Sequence, residues 1–328
     1  MQHRLFTRII QLVVWVVVCW MVVMFVQRLM QWRSSITQQP VSSGEMQSVA
    51  SVPSETLVHP VLFFDKTTFY SSIDWVNNTN QSEDTTQASQ VNTSFDQPIV
   101  GGVIPHHLLP SYMIADFFSR LAKQQPKTII LIGPNHNEAG EHPILTSLYS
   151  WETPFGTVSP DTTRIQLLLD RQIAWQDEST LPKDHSVAGI LPFVEYYLPN
   201  VAVVPLLLSG ATSDEELQKL ARGLSELQEG EQGGIILIAA VDFSHYLTSA
   251  QAEEKDAITL NLMRDFQVER LLNLNSDYLD SPESIAVLLQ VMQAGESTKM
   301  RVFHHTNSGA LTKNPFAATT SYFALAYY

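Results

Sequence analysis

Cysteine is almost missing from these 328 residues: the single one, Cys19, sits inside an apolar N-terminal run. One cysteine excludes an internal disulfide and any cysteine-rich zinc or iron–sulfur site. Basic residues are also scarce, with 19 Lys and Arg against 33 Asp and Glu. Four of the 19 (Arg4, Arg8, Arg28 and Arg33) precede position 34, where no acidic residue occurs, so the rest of the chain carries 15 basic against 33 acidic residues. So acidic a surface repels phosphate backbones and argues against nucleic acid as a partner. The chain has no Gly-x-Gly-x-x-Gly, Walker A, Gly-x-Ser-x-Gly or His-Glu-x-x-His motif and no internal repeat. The common nucleotide, serine-hydrolase and zinc-protease signatures are therefore absent.

The N-terminus is the one long apolar run. Ile9 to Val26 is apolar at every position but Gln11, a length of 18 residues. About 20 residues span a bilayer, so the run reads as a single transmembrane helix within an anchor at 1–33. The basic residues on its N-terminal side orient the N-terminus inwards and the following domain to the extracytoplasmic side. Residues 34–61 are rich in Ser, Gln, Thr, Val and Pro and read as a flexible linker. The remaining 62–328 form one domain, interrupted by a polar loop expected at 77–97.

Within that domain, apolar runs alternate with amphipathic stretches. Residues 98–105, 128–132, 201–208, 234–241, 300–303 and 320–327 read as strands, and 112–122, 215–227 and 284–292 have helical spacing. This pattern predicts an α/β fold, with a mixed, largely parallel sheet and helices on both faces.

Polar residues capable of chemistry follow the strands. His106 and His107 come after the first strand, His136 after the second, Asp242 and His245 after the 234–241 run, and His304 and His305 after the 300–303 run. Ligands in open α/β sheets gather beyond the carboxyl ends of strands, so these segments can converge. A mixed histidine and carboxylate set suits Zn²⁺, Fe²⁺ or Mn²⁺. Asp184-His185-Ser186 and Asp277 to Asp280 add acidic spots in loops. Asp280, followed by Ser281-Pro282-Glu283, also reads as a helix N-cap.

The order of these segments resembles the Memo-like family, also called AmmeMemoRadiSam system protein B. The matching motifs are Ile104-Pro105-His106, Gly133-Pro134-Asn135-His136, Asp184-His185-Ser186 and Asp242-Phe243-Ser244-His245-Tyr246. Thr153-Pro154-Phe155-Gly156, Leu191-Pro192-Phe193, Val204-Pro205-Leu206-Leu207 and the closing Thr320-Ser321-Tyr322 support them, and the likeness covers about 62–328. It implies a fold like that of class III extradiol ring-cleaving dioxygenases. It also implies a metal held by His106, His136 and a third ligand that is cysteine in the family. Aligning the apolar stretch Ile285 to Leu289 puts Asp280 in the cysteine's place. The expected metal ligands are thus His106, His136 and Asp280, with His245, Asp242 and His185 as catalytic residues beside them. The expected cofactor is a divalent metal, Fe foremost, with Zn, Mn or Cu as alternatives. The implied function is that of a non-heme iron oxidoreductase acting on a small molecule. The alternatives are a non-catalytic metal- or ligand-binding module at the membrane surface and a metal-assisted hydrolase.

Overall fold

The computed structural model describes residues 57–86, 97–231 and 234–328, with side chains undescribed at 80–86. The described residues fall within one compact unit, Glu55–Tyr328. In chain order the elements are β1 (Val58–Pro60), α1 (Lys66–Thr86), β2 (Gly101–Ile104), α2 (Ser111–Ala122), β3 (Thr128–Pro134), β4 (Ile144–Thr146), β5 (Ser150–Thr153) and β6 (Gly156–Pro160). There follow α3 (Thr162–Asp170), β7 (Trp175–Gln176), α4 (His185–Ala188), α5 (Leu191–Tyr197), β8 (Ala202–Leu208), α6 (Asp214–Gln228), β9 (Ile235–Ala240) and β10 (His245–Leu247). The chain closes with α7 (Ser249–Arg264), α8 (Val268–Leu272), α9 (Pro282–Ala294), β11 (Met300–Asn307), α10 (Ser308–Leu311) and β12 (Thr319–Tyr327).

The strands form one mixed sheet ordered β1-β5-β6-β8-β3-β9-β2-β12-β10, with β11 on β12, β4 on β8 and β7 on β4. Its centre, β8-β3-β9-β2, is parallel throughout. Every residue of β3 and β9 is buried, which explains the apolar runs from Ile129 to Ile132 and from Ile235 to Ala240. Side chains alternate between faces along a strand. Ile130 and Ile132 accordingly pack with α3, α6 and α9, through residues such as Leu168, Leu220 and Leu288. Ile129 and Leu131 pack on the other face with α1, α2 and α5, through Phe69, Phe117 and Phe193. The expected α/β sheet with helices on both faces is present.

The membrane expectation is corrected. Among the described residues no helix is long and apolar enough to cross a membrane. The 9–26 run on which the anchor and the extracytoplasmic placement rested lies outside the described residues. A single-pass membrane assignment therefore has no support among the described residues.

Two local boundaries also differ. The linker expected over 34–61 reaches into β1, which pairs in parallel with β5. There His59 is buried and its Nε2 lies 2.7 Å from Glu178 Oε2. The polar loop expected from residue 77 is helical as far as Thr86, because α1 continues past its apolar stretch. Residues 87–96 lie outside the described residues.

Candidate metal centre

Parallel strands end at the same edge, and β2, β3 and β9 deliver three polar segments to one point there. His106 lies two residues beyond β2, His136 two beyond β3 and Asp242 two beyond β9. Backbone pairing runs past the strand ends: the Val241 N–H donates to Ile104 O at 2.9 Å and the Asn135 N–H to Leu208 O at 2.8 Å. The Asp242 carboxylate locks its neighbour, accepting the His106 N–H at Oδ1 (3.1 Å).

A fourth segment arrives through helix α4. Gly133 admits it: a Cβ there would stand 2.4 Å from Ser186 Oγ. The Ser186 hydroxyl donates to Pro134 O at 2.9 Å, so α4 seats directly on the end of β3. Asp184 caps the helix by accepting the Ser186 N–H at 3.0 Å. The same carboxylate accepts the His136 N–H at 2.8 Å and lies 2.9 Å from His136 Nδ1. His185 stacks on His136 with ring centroids 4.3 Å apart and 20° between planes.

The fifth segment precedes α9. The cap of that helix is Ser281, whose side chain accepts the Ser284 N–H, so the capping role anticipated for Asp280 falls to its neighbour. The Asp280 N–H donates to Asp242 O at 3.1 Å, beside the bridge between Phe243 and Leu279. The Asp280 carboxylate is thereby turned into the cluster. Its Oδ2 lies 3.3 Å from His106 Nε2 and 3.9 Å from His136 Nε2. Asp242 Oδ2 lies 3.7 Å from His106 Nε2.

Two overlapping groups result, His106–His136–His185 and His106–Asp242–Asp280, each with its ligand atoms within 4.8 Å of one another. Either could hold a metal ion. The tautomers suit this: His106 Nδ1 faces Ala240 O at 3.0 Å and His136 Nδ1 faces Asp184, leaving both Nε2 atoms turned inwards. A partner on one ring nitrogen is what presents the other to a metal. The Asp280 carboxylate calls for a counter-charge. Both its oxygens are sealed from solvent without a hydrogen-bond partner. A buried carboxylate in that state takes up either a cation or a proton.

The electrostatics agree. Burial, and then the Asp242 charge, push the Asp280 carboxyl well above its usual range. Burial also raises Asp242, against the opposing influence of His107 and His245. Burial and then His136 bring His106 down to about 3, and burial with His106 and His136 brings His185 to about 4. Asp184 is pushed up by burial, but its bonds to His136 and Ser186 outweigh that and bring it to about 2. Burial lowers His245, against the pull of Asp242.

Six expected site residues therefore meet at this edge: His106, His136, His185, Asp242, Asp280 and, at its rim, His245. Asp242 bonds the His106 backbone, and His245 Nδ1 is buried without a hydrogen-bond partner. His304 and His305 do not join the cluster. Strand β11 continues through both, and their Nε2 atoms lie 2.8 Å from Asp116 and 2.7 Å from Asp256. The orienting role of Asp184 was not anticipated, because it pairs with a residue 48 positions away.

An α/β sheet with a histidine–carboxylate cluster at its carboxyl edge is the class these features define. Residues 79–325 match the model of the Memo-like protein family, and the chain belongs to that family. A MEMO1 family protein of Caldivirga maquilingensis is 24% identical over 239 residues, covering 71% of this chain and 84% of the relative. One from Desulfurococcus amylolyticus is 26% identical over 237 residues, covering 70% and 83%. Among solved structures, an uncharacterized protein from Escherichia coli K12 aligns with a TM-score of 0.48 and 14% identity, covering 69% of this chain and 99% of its own.

Proposed function

We propose that this chain binds one divalent metal ion through His106, His136 and Asp280 and uses it in an oxidoreductase reaction on a small phenolic molecule. The observation that carries the reading is the Asp280 carboxylate, sealed, unpartnered and aimed at two inward-facing imidazole nitrogens. Two imidazoles and one carboxylate form the facial set of non-heme iron sites, which leaves coordination positions open. Fe²⁺ fits best, and an oxygen-rich replacement for thiolate favours it or Mn²⁺ over softer ions. When bound, such an ion supplies Lewis acidity and redox capacity.

The chain's own residues supply the rest. Asp184 holds the His136 ring in its metal-facing tautomer. His185, stacked on His136, forms one wall of the site. His245 is kept neutral at pH 7 by burial and accepts the proton of a phenolic hydroxyl. The nearby Asp242 charge favours the imidazolium formed in that step. The resemblance carried by the sequence motifs, which implies a fold like that of ring-cleaving dioxygenases, supports this reaction class.

The test is elemental analysis of the purified protein, then oxygen uptake by the Fe²⁺-loaded protein with catechol-type substrates. One equivalent of metal with substrate-dependent oxygen uptake is expected. Stoichiometric metal with neither oxygen uptake nor hydrolysis would leave a binding protein without turnover.

A further inference from the structure

We infer that Asp256 is a positioning residue for the metal centre, acting through Ser244 on the segment that carries Asp242 and His245. This rests on the metal-binding reading above. Asp256 lies on α7 and is fully buried, as are Ser244 and Ser321. One carboxylate oxygen accepts the hydroxyls of both serines, from Ser244 at 2.5 Å and from Ser321 at 2.6 Å. The other faces His305 Nε2 at 2.7 Å. The His305 side chain is about a third exposed and lies flat on Phe323 at 4.1 Å.

The two serines are not independent. The Phe243 N–H donates to Ser321 O and the Ser321 N–H to Ser244 O, both at 2.9 Å. Backbone and side chains thus close a ring in which Asp256 ties the 243–244 segment to β12. Asp242 and His245 flank that segment on either side. On their far side they are held by the Asp280 N–H on Asp242 O and the His245 N–H on Ser276 O, both at 3.1 Å. Buried carboxylates are costly unless fully bonded. One oxygen of this carboxylate is spent on the serines that fix one segment of the site, and the other faces His305. The geometry also explains why Ser244, adjacent to His245, makes no dyad with it: its hydroxyl is committed to Asp256.

Cobalt titration of the full chain tests this, comparing wild type with Ser244→Ala, Asp256→Ala and Asp256→Asn. Substitutions behind a metal site typically weaken binding by about 10–100-fold. Ser244→Ala and Asp256→Ala should fall in that range and alter the visible absorption of bound Co²⁺. Asp256→Asn should rescue, because its amide oxygen still accepts the serine hydroxyls and its NH₂ group can face His305. Ser244→Ala with wild-type affinity and spectrum would overturn the inference, whatever its thermal stability. Should Asp256→Ala fail to fold, Ser244→Ala alone decides. Should wild type take up no Co²⁺, the metal reading fails separately. Hydrogen exchange across 241–248 then decides: clearly faster exchange in Ser244→Ala supports the positioning role, and unchanged exchange overturns it.

Discussion

The carboxylate of Asp280 and the Nε2 of His106 face each other at 3.3 Å, although 174 positions separate them in the chain. Two strand ends and a helix start are needed to bring them together. The cap of that helix is Ser281, so the Asp280 side chain is free to serve the site. Asp280→Asn should weaken binding of Fe²⁺ or Mn²⁺ by at least about tenfold, since it removes the carboxylate that faces both imidazoles. Asp280→Cys should retain binding and shift preference towards Zn²⁺ or Cu⁺. Competitive metal titration of the two variants reads both effects.

Metal uptake should depend on pH with a definite sign. Burial and the Asp242 charge hold the Asp280 carboxyl above its usual range, so in the metal-free protein a proton competes with the ion. Affinity should therefore rise with pH, and binding should release protons. A raised carboxyl contributes stability that is present below its unfolded value, near 3.8, and lost as pH rises through the folded one. The thermal stabilisation gained on adding metal should accordingly grow with pH. Calorimetry in buffers of different ionisation enthalpy measures the proton release, and a pH-independent affinity would contradict this electrostatic account.

Asp184→Asn tests the orientation of His136. The amide can still accept one backbone N–H, but it removes the anionic partner of Nδ1 at 2.9 Å. Metal affinity should fall about 10–100-fold with the fold retained. The same carboxylate predicts acid sensitivity of opposite sign to Asp280. Its pKa is lowered to about 2, so its contribution is complete above about 3.8 and lost as pH falls towards 2. Acid unfolding of Asp184→Asn should consequently be shallower over that window.

His245 stands beside the cluster with a buried Nδ1 that has no hydrogen-bond partner. His245→Ala should keep stoichiometric metal and lose oxygen uptake, by roughly 10²–10⁴-fold if the ring acts as a general base. Loss of the metal itself would instead place His245 among the ligands.

Much of this arrangement is readable from the chain because β2, β3 and β9 are buried on both faces and therefore uninterruptedly apolar. Whatever follows such a strand is placed at the sheet edge, which is why His106, His136 and Asp242 are found by position alone. Asp280 carries no signal of its own and comes only from the family resemblance, by matching the apolar run Ile285 to Leu289 with the stretch that follows the family's cysteine. Other features have no local signal. Asp184 pairs with His136 across 48 positions, and Asp256 with Ser244 and Ser321 across 12 and 65, separations that no periodicity records. His304 and His305 look like strand-end residues after Phe303. Pairing with β12 carries the strand through to Asn307 and commits both rings elsewhere. The helical course of 77–86 was hidden by its polarity.

The most direct measurement is metal content per chain in wild type and in His106→Ala, His136→Ala and Asp280→Asn, with folding checked by circular dichroism. About one equivalent in wild type, and loss of it in each folded variant, is what a two-histidine, one-carboxylate centre predicts. Wild-type metal content in all three folded variants would contradict it.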